Sequence, residues 1–214
     1  MRPMPCVVTF LSVLCVISTA VAEPGGVSAA TQSFLDAHPQ TRMMVSGERA
    51  VALYGNAFMV ANPGETTAAL AQRFVDNQRS ALGVDNPNLE LVNSVVIKNG
   101  QIEVLTYRQR IEGLPVYGSV VKIPVHVAQG QTPHNIGYVG VHLVQHPLAA
   151  LPADAITEAE AKQTAANPPA VAGGDPAAFS PATKYIYEEP NGTLHRAWTF
   201  TGYGENGGYR FFVD

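Results

Sequence analysis

Apolar positions recur with a helical period over one stretch in the first half of the chain. From Leu70 to Leu82 the apolar residues follow each other at three- and four-residue spacing, which predicts a helix. Thr66 or Thr67 can cap its start, and Gly83 is a suitable stop. Charged and amide side chains lie mostly off the apolar stripe. We therefore expect this helix to cover another layer with one face only.

The stretches after this helix have the composition and alternation of β-strands. Lys98-Asn99-Gly100 is a typical hairpin turn between two of them. Short turns between successive strands predict an antiparallel meander with the helix packed across one face. The predicted strands cover residues 89–97, 101–111, 116–127 and 135–145, and two earlier extended segments cover residues 43–45 and 50–60.

A second helix-then-sheet pattern follows a proline-bearing boundary at residues 146–152. Thr157 and Glu160 form a capping box that opens a helix to about residue 166. A Pro-, Ala- and Gly-rich loop is predicted for residues 167–181. Three more strands are predicted at residues 184–188, 193–201 and 209–213. The whole pattern predicts an α+β protein of two helix-on-antiparallel-sheet modules.

The first residues predict an exported protein. Arg2 precedes an apolar run over residues 7–17, and small residues before position 23 predict signal cleavage after Ala22. Both cysteines, Cys6 and Cys15, lie in this leader, so the predicted mature chain can form no disulfide. We expect a secreted protein, extracellular or periplasmic, that has no membrane segment after signal cleavage.

Charge and composition exclude several functions. Removal of Arg2 with the leader leaves 12 basic against 17 acidic residues, without a basic cluster. This balance argues against nucleic acid and anionic membrane surfaces as partners. Familiar catalytic motifs are missing as well, including His-Glu-x-x-His and Gly-x-Ser-x-Gly. We therefore predict no catalytic and no cofactor-binding residues in this chain.

Four histidines are the candidates for a metal site, namely His126, His134, His142 and His146. A spacing of four residues would suit two ligands on a helix, but the last two lie on a predicted strand and its end. Four residues along a strand span roughly 13 Å, which is too far for one metal ion. The spacing therefore predicts no metal site.

Residues 104–119, V-L-T-Y-R-Q-R-I-E-G-L-P-V-Y-G-S, resemble the core of the fungalysin/thermolysin propeptide domain. The upstream helix and first strand also fall where that family has them. Residues 155–161, 195–200 and 209–214 resemble a PepSY module. The resemblance implies cystatin-like and PepSY-like modules. It divides the chain into a signal peptide (1–22), an N-terminal extension (23–62), a propeptide-like domain (63–146) and a PepSY-like domain (147–214).

In this family such a region templates the folding of a secreted thermolysin-like zymogen and blocks its active site. The resemblance therefore implies a non-catalytic chaperone and protease inhibitor. Its expected partner is the cognate thermolysin-like metallopeptidase catalytic domain, in cis or in trans. Zinc and calcium are expected only in that domain, which is absent from these residues because the sequence stops at Asp214.

Two regions are the expected contacts with the peptidase: the turn after the signature strand and the C-terminal tail. The predicted partner-binding residues are Gly113, Leu114, Pro115, Val116, Tyr117, Gly118, Phe211, Phe212, Val213 and Asp214. A structural explanation stays open beside this one. In it, the glycines and the proline only shape a turn while Tyr117 packs in the core.

Two other functions also stay open. The chain could be a stand-alone secreted inhibitor or chaperone that acts on a protease in trans. It could instead be a binding module for an extracellular polymer. The second idea depends on aromatic residues in the last third of the chain, namely Tyr185, Tyr187, Trp198 and Tyr203.

Overall fold

The computed structural model describes residues 28–46, 49–84, 87–145, 150–166, 178–204 and 207–214. The predicted leader with its cleavage site at Ala22 lies outside the described residues. So do His146 and most of the predicted loop at 167–181. The division of the chain into domains stays a prediction.

Three α-helices and nine strands lie in the described ranges. The helices are α1 (Ala29–Ala37), α2 (Thr67–Gln78) and α3 (Glu158–Ala166). The strands are β1 (Thr41–Ser46), β2 (Arg49–Val60), β3 (Asn88–Ile97), β4 (Ile102–Ile111), β5 (Leu114–His126), β6 (Asn135–His142), β7 (Thr183–Glu188), β8 (Leu194–Gly204) and β9 (Gly207–Val213).

The helix predicted from the apolar stripe is confirmed as α2. The Thr66 side chain accepts a hydrogen bond from the backbone N–H of Ala69 at 3.2 Å, which caps the helix. A 3-10 turn, Arg79–Leu82, extends the helix, and Gly83 ends it in the left-handed region at φ 86°. The capping box predicted at the start of α3 is confirmed too, because Glu160 accepts from the Thr157 backbone N–H at 2.8 Å.

All nine strands join one sheet that divides at β5. Strands β3, β4, β5 and β6 pair antiparallel in chain order, as the meander predicted. Strand β2 adds to β6 and β1 adds to β2. Near its start, β5 also pairs in parallel with β7, with Val116 opposite Ile186. Strands β8 and β9 follow β7, so β1, β3 and β9 are the free edges.

The prediction of two helix-on-antiparallel-sheet modules is therefore wrong. The protein is mainly one mixed nine-stranded sheet with few helices. The physical reason is the length of β5, which carries Val116 beyond the stretch paired with β6. Val116 and Ile186 are both fully buried, and they share one apolar cluster with Ile111, Val144 and Leu151. Burying this cluster joins the two halves of the sheet.

The main core lies between α2 and the sheet. Leu70 and Phe74 of α2 are fully buried against Leu105 and Tyr107 of β4 and Ile123 of β5. A smaller cluster lies on the other half of the sheet, where Ala161 and Ala165 of α3 cover Phe200. That half of the sheet thus has one face covered by α3. Its opposite face holds the candidate site.

Candidate partner-binding face

The signature strand β4 alternates between buried and half-exposed residues. Leu105, Tyr107, Gln109 and Ile111 face the interior. Arg110 lies between them and stabilises the following turn. Its Nε donates to Glu90 Oε2 and its Nη1 donates to the carbonyl oxygen of Gly113, both at 2.6 Å. The strand therefore determines both the packing below it and the turn beyond it.

Gln109 is a buried polar residue whose amide is well satisfied. Its Nε2 donates to the carbonyl oxygen of Val144 at 2.7 Å, and its Oε1 accepts from the Val144 backbone N–H at 2.9 Å. The Ser119 hydroxyl lies 2.6 Å from the same Oε1 and 3.0 Å from the carbonyl oxygen of His142. These bonds hold the segment after β6 against β4 and β5.

The turn between β4 and β5 is tied to the second half of the sheet. Glu112 and Gly113 both have positive φ angles, 49° and 78°, which makes the tight reversal. The Glu112 carboxylate accepts from the Leu151 backbone N–H at 3.0 Å and pairs with Arg196 of β8. This ion pair places the turn beside β8 although the two segments are far apart in the sequence.

Four aromatic residues meet on the face of β7, β8 and β9 that lies opposite α3, and we call them the aromatic cluster. They are Tyr117, Tyr185, Tyr187 and Phe212. The ring centroids of Tyr117 and Phe212 lie 4.5 Å apart in an edge-to-face arrangement. Tyr117 is 6.0 Å from Tyr185, and Tyr187 is 5.0 Å from Phe212. The two predicted contact regions therefore come together in space.

A positively charged side chain, Arg210, lies at the border of the aromatic cluster. The Arg210 guanidinium carbon is 5.7 Å from the centroid of the Tyr117 ring, and its Nη1 donates to the Tyr117 hydroxyl at 3.4 Å. Arg210 and Phe212 are two residues apart on β9, so they share a face of the sheet. Aromatic and arginine side chains are the residue types that most often dominate binding energy at protein interfaces.

The end of the chain is held by a histidine between two carboxylates. His195 Nδ1 lies 2.9 Å from Asp214 Oδ2, and its Nε2 lies 3.6 Å from Glu189 Oε1. This interaction places Asp214 on the same face as Phe212.

The predicted partner-binding residues fall into two groups. Gly113, Tyr117, Gly118 and Asp214 are exposed, Pro115 is half-buried, and Phe212 is half-buried within the aromatic cluster. The other side chains point into the protein: Val116 and Leu114 belong to the cluster that joins the two halves of the sheet, while Phe211 and Val213 pack below α3. Contact of any of these residues with a peptidase stays a prediction.

The family model described as Fungalysin/Thermolysin Propeptide Motif matches residues 87–132. Residues 87–132 carry a fungalysin/thermolysin propeptide motif. The motif spans β3, β4 and β5, including Gln109, the turn at Gly113 and Tyr117. Such a motif marks a non-catalytic region of the chain.

One solved structure with a similar chain is the Bacillus megaterium YpeB C-terminal domain. It is 14% identical, and the match covers 86% of this chain and 89% of that chain with a TM-score of 0.39. At this TM-score the likeness supports no conclusion about function. No curated protein matches the chain significantly.

The sequence had not indicated several residues of this face. Arg210 and His195 were not predicted as parts of a site, whereas Asp214, which His195 contacts, was. The period of two on β9 would have placed Arg210, Phe212 and Asp214 on one face, but not beside Tyr117 of the propeptide motif. Tyr185 and Tyr187 were noted only as aromatic residues of another possible function.

Within the described ranges, no group of three or more histidine, cysteine, aspartate or glutamate side chains could hold a metal ion. The helices of the same ranges are all too short or too polar to cross a membrane.

Proposed function

We propose that this chain is the chaperone and inhibitor region of a secreted thermolysin-like metallopeptidase, and that it binds the catalytic domain through the aromatic cluster and β9. The observation that carries the proposal is the meeting of Tyr117 with Phe212 at 4.5 Å. One residue belongs to the propeptide motif and the other to the C-terminal tail. The zinc and the chemistry belong to the partner.

The physical character of the face supports a role in binding. Tyr117 is 38% exposed, so its ring can lose further water when a partner covers it. Arg210 beside it can donate to carboxylate or carbonyl groups of a partner. A rigid aromatic anchor costs little conformational entropy on binding, since the ring is already held by its neighbours.

Strand β9 offers a second kind of contact. It pairs only with β8 among the described strands, so its other edge has backbone groups free for an added strand. A segment that lies along a substrate cleft can block it by strand addition. Blocking by β9, or by residues next to it, accounts for inhibition without any reactive group in this chain.

Assistance in folding follows from the same interaction. A surface that binds the native-like state of a catalytic domain, and not its unfolded state, stabilises the native state by mass action. Large catalytic domains fold through intermediates that are prone to aggregation. The chain would therefore raise the yield of folded peptidase in cis or in trans.

The experiment is the refolding and inhibition of a thermolysin-like catalytic domain with the purified chain added in trans. We expect a higher yield of active enzyme after removal of the chain, and inhibition while it is present. Tyr117→Ala should weaken the inhibition constant by about 30-fold, the size typical of an interface hot spot. Tyr54→Ala is the matched control, since Tyr54 is 39% exposed on β2, which does not pair with any strand of the aromatic cluster.

Equal inhibition by wild type, Tyr117→Ala and Tyr54→Ala would contradict the docking face. Absence of both inhibition and refolding assistance would contradict the proposed function. If the wild-type chain alone were retained on an insoluble wall polymer, and Tyr117→Ala were not, the polymer-binding alternative would be favoured instead.

A further inference from the structure

Strand β3 is an edge strand with an unusual surface. It pairs only with β4, and residues 90–97 of it are all exposed. Its exposed apolar side chains are Leu91, Val92, Val95, Val96 and Ile97. The free edge of the sheet at β3 therefore has exposed apolar residues on both of its faces.

The stretch between Glu90 and Lys98 lacks the usual protection of an edge strand. Natural edges are commonly protected by charged residues or prolines that prevent pairing with another chain. Residues 91–97 contain neither. The other two edge strands each carry an arginine, Arg42 in β1 and Arg210 in β9.

We propose that β3 pairs antiparallel with β3 of a second copy of this chain, about a two-fold axis near Val95. A bulge between Leu91 and Asn93 interrupts the regular ladder with β4, so the regular part of the edge is residues 93–97. An axis at Val95 uses all of this part, because Asn93 then lies opposite Ile97 of the second copy. The two Val95 side chains lie directly opposite each other.

Charge complementarity argues for a second copy as the occupant. An exposed acidic residue, Glu90, which also pairs with Arg110 of β4, precedes the uncharged stretch, and an exposed basic residue, Lys98, follows it. Antiparallel pairing brings the Lys98 end of one copy beside the Glu90 end of the other, twice per dimer. A parallel arrangement would instead bring like charges together, which is unfavourable.

One apolar row of the hairpin also continues across the proposed interface. Val95 lies opposite Val104 of β4. With a second copy, the Val104–Val95 pairs of both copies form one apolar row over four strands, with the two Val95 residues at its centre. The paired segment is short, so the buried area falls below the ~1,200 Å² of stable interfaces and the dimer should be weak.

The test is sedimentation equilibrium of the purified chain over a range of concentrations. We expect a monomer–dimer equilibrium with a dissociation constant of roughly 10–100 µM, as for other small interfaces. Val95→Lys should raise that constant at least tenfold, since it places two ammonium groups opposite each other. Val95 is 47% exposed, so the monomer should stay folded. Val60→Lys is the matched control at 46% exposure on β2.

Two further measurements keep the proposal testable if Val95→Lys disturbs the fold. Lys98→Glu should also weaken the dimer, by placing an acidic group near Glu90 of the second copy. In the wild-type chain, amide hydrogen exchange of residues 93–97 should slow as the protein concentration rises. A chain that stays monomeric at ~300 µM would overturn the proposal, because even a weak interface of this class would be populated there. Equal dimerisation of Val95→Lys and Val60→Lys would also overturn it.

Discussion

Replacing Gln109 with methionine tests how the propeptide motif stabilises its own strand. Methionine has a similar length and shape, so the substitution should leave little empty space and lose little stability through a cavity. The change removes an amide that bonds both the N–H and the carbonyl of Val144, at 2.9 and 2.7 Å. Gln109 is only 1% exposed, so water cannot readily replace those partners.

The size of the effect follows from counting the groups that lose their partners. The N–H and the C=O of Val144 would each be left unsatisfied in a buried place, at a cost of about 1–3 kcal/mol per group. The Ser119 hydroxyl keeps the carbonyl oxygen of His142 as an acceptor, 3.0 Å away, and adds little. The expected loss in the free energy of unfolding is therefore about 2–6 kcal/mol, a large fraction of the stability of an ordinary domain.

Equilibrium unfolding in urea, followed by circular dichroism and by tryptophan fluorescence, measures this loss. The midpoint should fall while the slope stays the same, because the surface exposed on unfolding is nearly unchanged. Gln101→Met is the control, since Gln101 is exposed in the turn after β3, and its effect should stay within about 0.5 kcal/mol. A loss below about 0.5 kcal/mol for Gln109→Met would refute the reasoning, because it would mean that the Val144 groups find other partners.

Three further changes test other parts of the structure. Tyr107→Phe should stabilise the protein by about 1 kcal/mol in the same urea assay, because the buried Tyr107 hydroxyl has no hydrogen-bond partner among the described residues. Destabilisation by this change would show that the hydroxyl has a partner. Burial also raises the pKa of Tyr107 to about 12, so this effect should not change between pH 6 and 9. Thr66→Ala should lower the free energy of unfolding by about 1 kcal/mol, because it removes the side chain that caps α2. The control Ala68→Ser leaves that cap in place and should lower the free energy of unfolding less. Hydrogen bonds from Arg73, and then from the Asn62 backbone, lower the pKa of Glu65 from 4.5 to about 2. The stability that Glu65 contributes is therefore complete above pH 4.5 and is lost as the pH falls towards 2, so Glu65→Gln should flatten the pH dependence of the urea midpoint in that range; an unchanged profile would contradict this.

The local elements of the fold could be predicted from the sequence because their signals are local. The apolar stripe of α2, its caps and the hairpin turn at Lys98 each depend on residues close together in the chain. The pairing of Val116 with Ile186 does not, since it joins two segments whose patterns look complete by themselves. The prediction of two modules was wrong for that reason.

The candidate site shows the same difference between local signals, which the sequence reveals, and long-range pairing, which it does not. The turn around Tyr117 and the tail around Phe212 could be selected separately, from resemblance. Their meeting depends on the parallel pairing of β5 with β7 and on the pairing of β7, β8 and β9, which position the rings. Gln109 could have been noticed as a polar residue in a strand of alternating character, although its partner Val144 lies beyond the next two strands.

Amide hydrogen exchange of the chain, alone and with a thermolysin-like catalytic domain, tests the central proposal most directly. The account predicts that binding slows exchange in residues 114–118 and throughout β9, the two segments that carry the aromatic cluster. It predicts little change in β1, which lies at another edge of the sheet. Binding with protection confined to β1 and β2, or no binding at all, would contradict the account.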